Sequence, residues 1–192
     1  MGREFELKFA AAKEDHEALH RRYPHLSPIT MESTYYDTPG GDIRQLRWTL
    51  RLRRENGIPI CGLKTPGEGF GHGEWEVYCA GMDQAVDALL AKGAPAQLRE
   101  FADAGLSPVC GARFTRLAGI IHAEGCTVEL ALDDGLLLGG GKEQPLCEVE
   151  VELKSGSEDA AAAFAIAIAQ EFGLRPETRS KIARAMALTR QD

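Results

Sequence analysis

Residues 147–153, CEVEVEL, put Glu148, Glu150 and Glu152 on one side of an extended chain and Val149, Val151 and Leu153 on the other, because successive side chains of a strand point to opposite faces. The same period-two pattern opens the chain in EFELKF, where Glu4, Glu6 and Lys8 alternate with Phe5, Leu7 and Phe9. It returns with other charges at Arg51 and Arg53, at Lys64, at Glu74 and Glu76, and at Glu129 with Asp133. One such strand is what any antiparallel sheet with a wet face shows. Here like charges stack and repel, and exposed charge pairs return little stability, so a repeated charged face needs something to offset it. If the strands close into a barrel, every charged face points into one cavity and the apolar faces point outward. That inverts the usual small barrel, whose interior is filled by apolar side chains.

The segments that would cover those apolar faces are legible as helices. Residues 11–23 are rich in Ala, Glu, Lys and Leu, with Ala12, His16, Leu19 and Tyr23 near one face, and Pro24 stops them. Residues 82–91 and 94–104 are anchored by Val86, Leu89, Leu90, Leu98 and Phe101. Residues 157–172 carry Phe164, Ile168 and Phe172 at four-residue spacing and end at Gly173, and Ser180 caps a last short helix through Met186. Between the helices, SPITMESTYYD at 27–37 reads as a strand, and Asn56-Gly57 as a tight hairpin turn, since both residues tolerate positive φ. LLLGGGKEQP at 136–145 reads as a turn-rich stretch, and TPGEGFGHG at 65–73 as a flexible loop or rim that lacks the lysine-serine ending of a P-loop. Strands outnumber helices and strand–helix–strand repeats are scarce, so the expected class is α+β with an antiparallel sheet.

With 192 residues the chain is expected to form one domain, 1–192, with a sizeable core. Its 29 acidic residues against 22 lysines and arginines leave a formal charge of −7, which repels nucleic acid. Five widely spaced cysteines without a CxxC pair point to a reducing compartment and away from structural zinc. The start has no apolar leader, and no stretch approaches the roughly 20 apolar residues of a membrane span. A cytoplasmic protein is expected, with no nucleic-acid or membrane partner; a homodimer is one option, and the sequence does not show the oligomeric state.

The charged faces have a chemistry. Adjacent carboxylates offer the hard oxygens that Mg2+ or Mn2+ prefers, while Arg and Lys hold phosphate oxygens. A cavity of many carboxylates beside several cations therefore asks for water, divalent metal and a polyanion. The ordered set of E-x-E-x-K at Glu4, Glu6 and Lys8, YYDTP at 35–39, LRLR at 50–53, LK at 63–64, E-x-E at 74–76, VELALD at 128–133, E-x-E-x-E at 148–152 with L-x-SG after it, and Ser180-Lys181 resembles the CYTH superfamily, also called triphosphate tunnel metalloenzymes. The likeness covers essentially the whole chain.

What this resemblance implies is an eight-stranded antiparallel β-barrel forming a charged tunnel that binds triphosphate, with helices packed outside. Lys8, Arg51, Arg53, Lys64, Arg116 and Lys181 would hold phosphate oxygens, with Glu74 and Glu76 beside the substrate. Arg113 is the alternative to Arg116, and Lys181 would have to reach in from the terminal helix. Glu4, Glu6, Glu148, Glu150 and Glu152, with Lys8, would form the catalytic set, and these acids with Glu129 and Asp133 would hold one or two Mg2+ or Mn2+ ions and position water. The layout is most similar to bacterial inorganic triphosphatases, which split triphosphate into diphosphate and phosphate. Those proteins often carry a separate C-terminal helical domain, which is not expected in this chain. The alternatives are a class IV adenylate cyclase, a thiamine or nucleoside triphosphatase, and a non-catalytic polyphosphate-binding module; no aromatic-and-amide cluster for adenine stands out. Outside this set, His16 and His20 are expected on the surface or in packing, His72 at a rim, the cysteines in strand packing and Asp37 in local hydrogen bonding.

Overall fold

The computed structural model describes residues 5–66 and 72–190. The charged alternations become strands β1 (Glu6–Ala10), β3 (Thr49–Glu55), β4 (Ile58–Pro66), β5 (His72–Tyr78), β7 (Cys126–Gly139) and β8 (Lys142–Gly156), joined by β2 (Ser27–Asp37), β6 (Ser107–Ala123) and the two-residue β9 (Arg175–Pro176). Helices α1 (Lys13–Arg22), α3 (Met82–Ala91), α4 (Gln97–Asp103), α5 (Glu158–Phe172) and α6 (Lys181–Ala187) fall where the apolar spacing places them, and a four-residue α2 (Asp42–Gln45) precedes β3. Asp37 organises that turn, its Oδ1 accepting from the amides of Thr38 and Ile43 at 2.9 and 3.0 Å.

All the strands form one antiparallel sheet in the order β5-β4-β3-β2-β6-β7-β8-β1-β9. This corrects the expected eight-stranded barrel: among the described residues the sheet has nine strands and is not closed. One edge is β5, which among the described residues has no ladder partner beyond β4. At the other edge β1 gives its far side to β9, through Phe9↔Pro176 and Ala10↔Arg175. Pro176 has no N–H to offer a further strand, so that edge ends there. Period-two alternation specifies the face a strand buries, but closure depends on whether the two edge strands meet, which no residue pattern encodes.

The open sheet curls, and residues of β1 to β8 line a single cavity. Its outer face is apolar as the alternation requires. Val128, Leu130 and Leu132 of β7 with Val149 and Val151 of β8 pack under Leu19 of α1 and Ala161, Ala165 and Ile168 of α5. Leu50, Leu63 and Val77 of β3 to β5 pack under Val86 and Leu89 of α3 and Leu98 and Phe101 of α4. Leu50, Leu63, Leu89 and Leu98 are completely buried, and such leucines contribute about 1.5–3 kcal/mol each.

Three stretches depart from the pattern reading. Of the loop or rim read at 65–73, Thr65 and Pro66 belong to β4 and His72 and Gly73 to β5, and residues 67–71 lie outside the described residues. Leu136–Leu138 and residues 142–145, read as part of a turn-rich stretch, belong to β7 and β8; only Gly140 and Gly141 turn, at φ 58° and 73°. Positive φ at both central positions suits a two-residue hairpin and favours glycine. Residues 94–96 precede α4 instead of belonging to it.

Helix α6 differs from the others because it packs on β6 and β7, with Ala185 among Met31, Tyr35, Phe114, Leu137 and Leu146. Ser180 caps it, its Oγ accepting from the amide of Ala183 at 3.2 Å. Gly139 makes the approach possible: a Cβ there would stand 2.2 Å from the Ala185 carbonyl oxygen and 3.2 Å from the Leu188 Cβ. Gly139→Ala is expected to cost about 1–3 kcal/mol by overpacking. At about 2–4 °C per kcal/mol for a chain of this size, the melting temperature should fall measurably. An unchanged melt would mean that α6 yields freely.

Candidate functional site

The registers of β1, β7 and β8 set the carboxylates in rows. Glu6 faces Glu152, which faces Glu129; Lys8 faces Glu150; and Glu148 faces Asp133, which faces Arg116 of β6. Because β8 presents 148, 150, 152 and 154 on one side, Lys154 extends the series and reaches Glu152 at 2.8 Å and Glu129 at 3.8 Å. Lys8 stands 3.8 Å from Glu6. The far wall comes from β3 to β5: Arg51 lies 3.3 Å from Glu76 and 4.0 Å from Glu74, Arg53 lies 3.4 Å from Glu76, and Lys64 lies 3.3 Å from Glu74.

The third row is the most buried. Asp133 and Glu148 are fully buried, and one oxygen each from Asp133, Glu148 and Glu150 lies within 4.8 Å of the others, close enough to share one cation. The ammonium of Lys181 is that cation: it lies 2.8 Å from Asp133 and 2.7 Å from Glu150 and also pairs with Glu148. Arg116 forks onto Asp133 through Nε and Nη2, both at 2.7 Å, and reaches Glu150 at 2.5 Å. Arg184 closes the chain of charges on the other oxygen of Glu148. Three carboxylates thus meet three cations, which is the condition for burying charge without a large desolvation loss.

Protonation states follow from this balance. Burial alone would lower the Lys181 ammonium, but Glu150, Asp133 and Glu148 outweigh it and push its pKa up. Burial would likewise lower Arg116, and Asp133 and Glu150 outweigh it. Burial works to raise Glu150, yet Lys181 and Arg116 hold it well below the carboxylate range. At Glu148 burial wins over Lys181 and Arg184, and its carboxyl is raised. Arg53 is lowered by burial and by neighbouring Arg51; its Nε is buried with no acceptor in bonding geometry, although Glu55 Oε1 lies 2.8 Å away.

The cavity enclosed by these walls has a volume of about 460 Å3, within the roughly 300–1,000 Å3 of ligand pockets. Among the described residues its lining includes seven Lys or Arg side chains and seven carboxylates. Of the residues singled out from the sequence, Glu6, Lys8, Arg51, Arg53, Lys64, Glu74, Glu76, Arg116, Glu129, Glu150, Glu152 and Lys181 line it. Glu4 lies outside the described residues. Glu148 and Asp133 sit behind the surface, in contact with it through Lys181 and Arg116. Between the two arginines left open, Arg116 lines the cavity, whereas Arg113 is more than half exposed and pairs with Glu143 at 3.6 Å.

Glu55, Lys154 and Arg184 were not singled out in the sequence. Glu55 and Lys154 were within reach of the period-two rule, as the next positions after Arg53 and Glu152; Arg184 follows Lys181 by one helical turn. Met31, Tyr35, Phe114 and Ile182 add an apolar side to the lining, and the Lys181 Nζ lies 5.2 Å from the centre of the Phe114 ring. His16 is buried on the opposite side of β8, its Nε2 bonded to the Glu148 carbonyl oxygen at 3.1 Å. Burial pushes the thiols of Cys61 and Cys147 up to about 11 and that of Cys110 to about 12, which leaves them unreactive near neutrality.

A curled antiparallel sheet whose inner face pairs carboxylates with cations around one cavity defines a class of anion-binding α+β proteins with a candidate acidic metal site. The chain matches the model of the CYTH domain over residues 2–186 and belongs to that family. It is 29% identical over 140 residues to an inorganic triphosphatase of Haemophilus influenzae, a match covering 67% of this chain and 37% of that protein. The chain therefore spans little more than a third of the length of that curated relative. Similar solved structures include a candidate adenylyl cyclase from Hippeastrum described as having a dominant triphosphatase activity (TM-score 0.71, 19% identity, 98% and 97% of the two chains). Another is a candidate adenylate cyclase from Bacillus halodurans (TM-score 0.64, 21% identity, 96% and 98%). At these identities the structures speak for the fold. No helix among the described residues is long and apolar enough to cross a membrane.

Proposed function

We propose that this protein hydrolyses inorganic triphosphate to diphosphate and phosphate with the help of a divalent metal, Mg2+ or Mn2+. The observation that carries the reading is the single cavity in which lysines and arginines from β1, β3, β4, β6 and α6 meet carboxylates from β1, β5, β7 and β8. Triphosphate is a compact polyanion, and phosphoryl transfer needs mainly positioning and neutralisation of spread charge. Lys8, Arg51, Arg53, Lys64, Arg116 and Lys181 hold phosphate oxygens, the guanidinium forks suiting bidentate contacts. Glu74 and Glu76 aim Arg51, Arg53 and Lys64 through their ion pairs.

The donor set fits the metal, since carboxylate oxygens are the hard ligands that Mg2+ and Mn2+ prefer. Lys181 already fills the space between Asp133, Glu148 and Glu150. The row Glu6, Glu152 and Glu129 faces the cavity with Lys8 and Lys154 against it, whereas the buried acids meet three cations, and these three residues, Glu6, Glu152 and Glu129, with Glu150 beside them, would hold the ion. When bound, the metal supplies charge neutralisation and a more acidic water. Water forms the new bond to phosphorus, the P–O anhydride bond breaks and diphosphate leaves.

The activity of the Haemophilus relative supports hydrolysis over cyclisation of ATP. The test is phosphate release from inorganic triphosphate, ATP and thiamine triphosphate side by side, with EDTA, Mg2+ or Mn2+, while the ATP sample is watched for cyclic AMP. Fast cleavage of inorganic triphosphate that stops in EDTA is the expected result. Cyclic AMP, or tight triphosphate binding without turnover, would overturn it.

A further inference from the structure

We infer that Arg184 is a positioning residue: through Glu148 it sets the ammonium of Lys181 at the phosphate-facing surface of the cavity, and it does so by charge balance. The inference rests on the proposed reading of the cavity as a triphosphate site. Arg184 does not line the cavity and is 7% exposed, so it cannot touch a ligand there. Glu148 is wholly buried and absent from the lining, so it cannot either. Both of its oxygens are committed, one to Lys181 and one to Arg184. Lys181, whose side chain is 12% exposed, does line the cavity.

The order of charges gives the pair its function. Arg116, Asp133, Lys181, Glu148 and Arg184 alternate in sign, with Glu150 bridging Arg116 and Lys181. Neutrality of this buried group requires Arg184. Without it, three carboxylates face two cations, and Glu148 leans on Lys181 alone. The ammonium is then drawn back among the acids and is less available to a phosphate oxygen, because buried charges attract one another far more strongly than exposed ones. Arg184 and Lys181 lie three residues apart on α6, one turn of the same face, so the helix delivers the cation for substrate and the cation that frees it together. Gly139, where a side chain would strike the Ala185 carbonyl, holds that helix at the required height.

The experiment compares wild type, Arg184→Met, Arg184→Lys and the charge-balanced double variant Arg184→Met/Glu148→Gln, reading KM for inorganic triphosphate and kcat separately in Mg2+, with thermal melts to establish folding. Arg184→Met is expected to raise KM about tenfold, with kcat changed much less; Arg184→Lys stays within about threefold of wild type; and the double variant recovers most of the KM. A folded double variant no better than Arg184→Met overturns the inference, as does a folded Arg184→Met with wild-type KM. If Arg184→Met does not fold, Arg184→Gln, which keeps a donor for Glu148 without the charge, carries the same comparison. A wild-type protein that binds triphosphate without turnover ends the hydrolytic reading alone, and the positioning role is then read from dissociation constants for triphosphate in the same variants. A wild-type protein that neither binds nor cleaves it overturns both.

Discussion

Lys181→Met is expected to melt well below wild type in EDTA and to regain much of the loss in Mn2+. The ammonium touches Asp133, Glu150 and Glu148, of which Asp133 and Glu148 are fully buried. Removing one partner of a buried charge group costs about 3–5 kcal/mol when nothing else compensates. Arg116 and Arg184 remain here, so about 3 kcal/mol is the better figure, or roughly 6–12 °C in melting temperature for a chain of this size. The three oxygens, within 4.8 Å of one another, then lack their central cation. A divalent ion entering that space stabilises the fold by mass action, about 2.7 kcal/mol at a hundred times its dissociation constant. Calorimetry of both proteins in EDTA and in Mn2+ checks this. The wild type, with Lys181 in place, should gain less from the metal than the variant. Equal gains would mean that the metal binds elsewhere in both proteins and that the space vacated by Lys181 stays unused.

Arg116→Met is expected to be the other severe change, because it removes a two-bond fork from a carboxylate with no exposure at all. Lys181 stays 2.8 Å from Asp133, so a loss of about 3 kcal/mol, the low end of the range for breaking a buried charge group, is expected. The companion Arg116→Met/Asp133→Asn, which strands no full charge, should recover a large part of it, and urea melts of the two would settle the comparison. A pH series adds a sign. Glu150 is held low in the folded state by Lys181 and Arg116 against the effect of burial. A carboxyl of depressed pKa stabilises the fold above its unfolded value, about 4.3, and loses that contribution as pH falls. Arg116→Met relaxes the depression, so the variant should lose less of its remaining stability on acidification than wild type does. An acid limb as steep in the variant would remove Arg116 from the account of Glu150.

Much of this site was legible in the chain itself. Glu148, Glu150 and Glu152 share a face because a strand repeats every two residues, and no tertiary information is needed to say so. The same rule places Glu129 with Asp133, and Arg51 with Arg53, and followed one step further it reaches Glu55 and Lys154. The helix at 157–172 and the Asn56-Gly57 turn were equally local, one from apolar spacing and a glycine stop, the other from tolerance of positive φ. The hairpin at Gly140-Gly141 was blurred because a glycine-rich run signals a turn without marking its width, and the long strands on either side were cut short.

The separation of Arg116 from Arg113 lay beyond pattern alone. Three residues apart on a strand, they face opposite ways, and only the pairing of Arg116 with Asp133 across β6 and β7 shows which way is inward. Closure was misjudged for a related reason: alternation is satisfied by a curled open sheet as well as by a barrel, and the edges at β5 and β9 are a matter of where distant segments come to rest.

By itself, then, the sequence determined which side of each strand is charged and which is apolar, because the backbone geometry of a strand leaves no other choice. Tertiary structure alone decided that Glu148 and Asp133 are buried behind Lys181 and Arg116 while Glu6, Glu129, Glu150 and Glu152 face the cavity. Those relations join β8 to a helix that begins after Gly156, α5 and β9 have passed, and they exist only because α6 docks beside Gly139 and brings two cations onto one buried carboxylate.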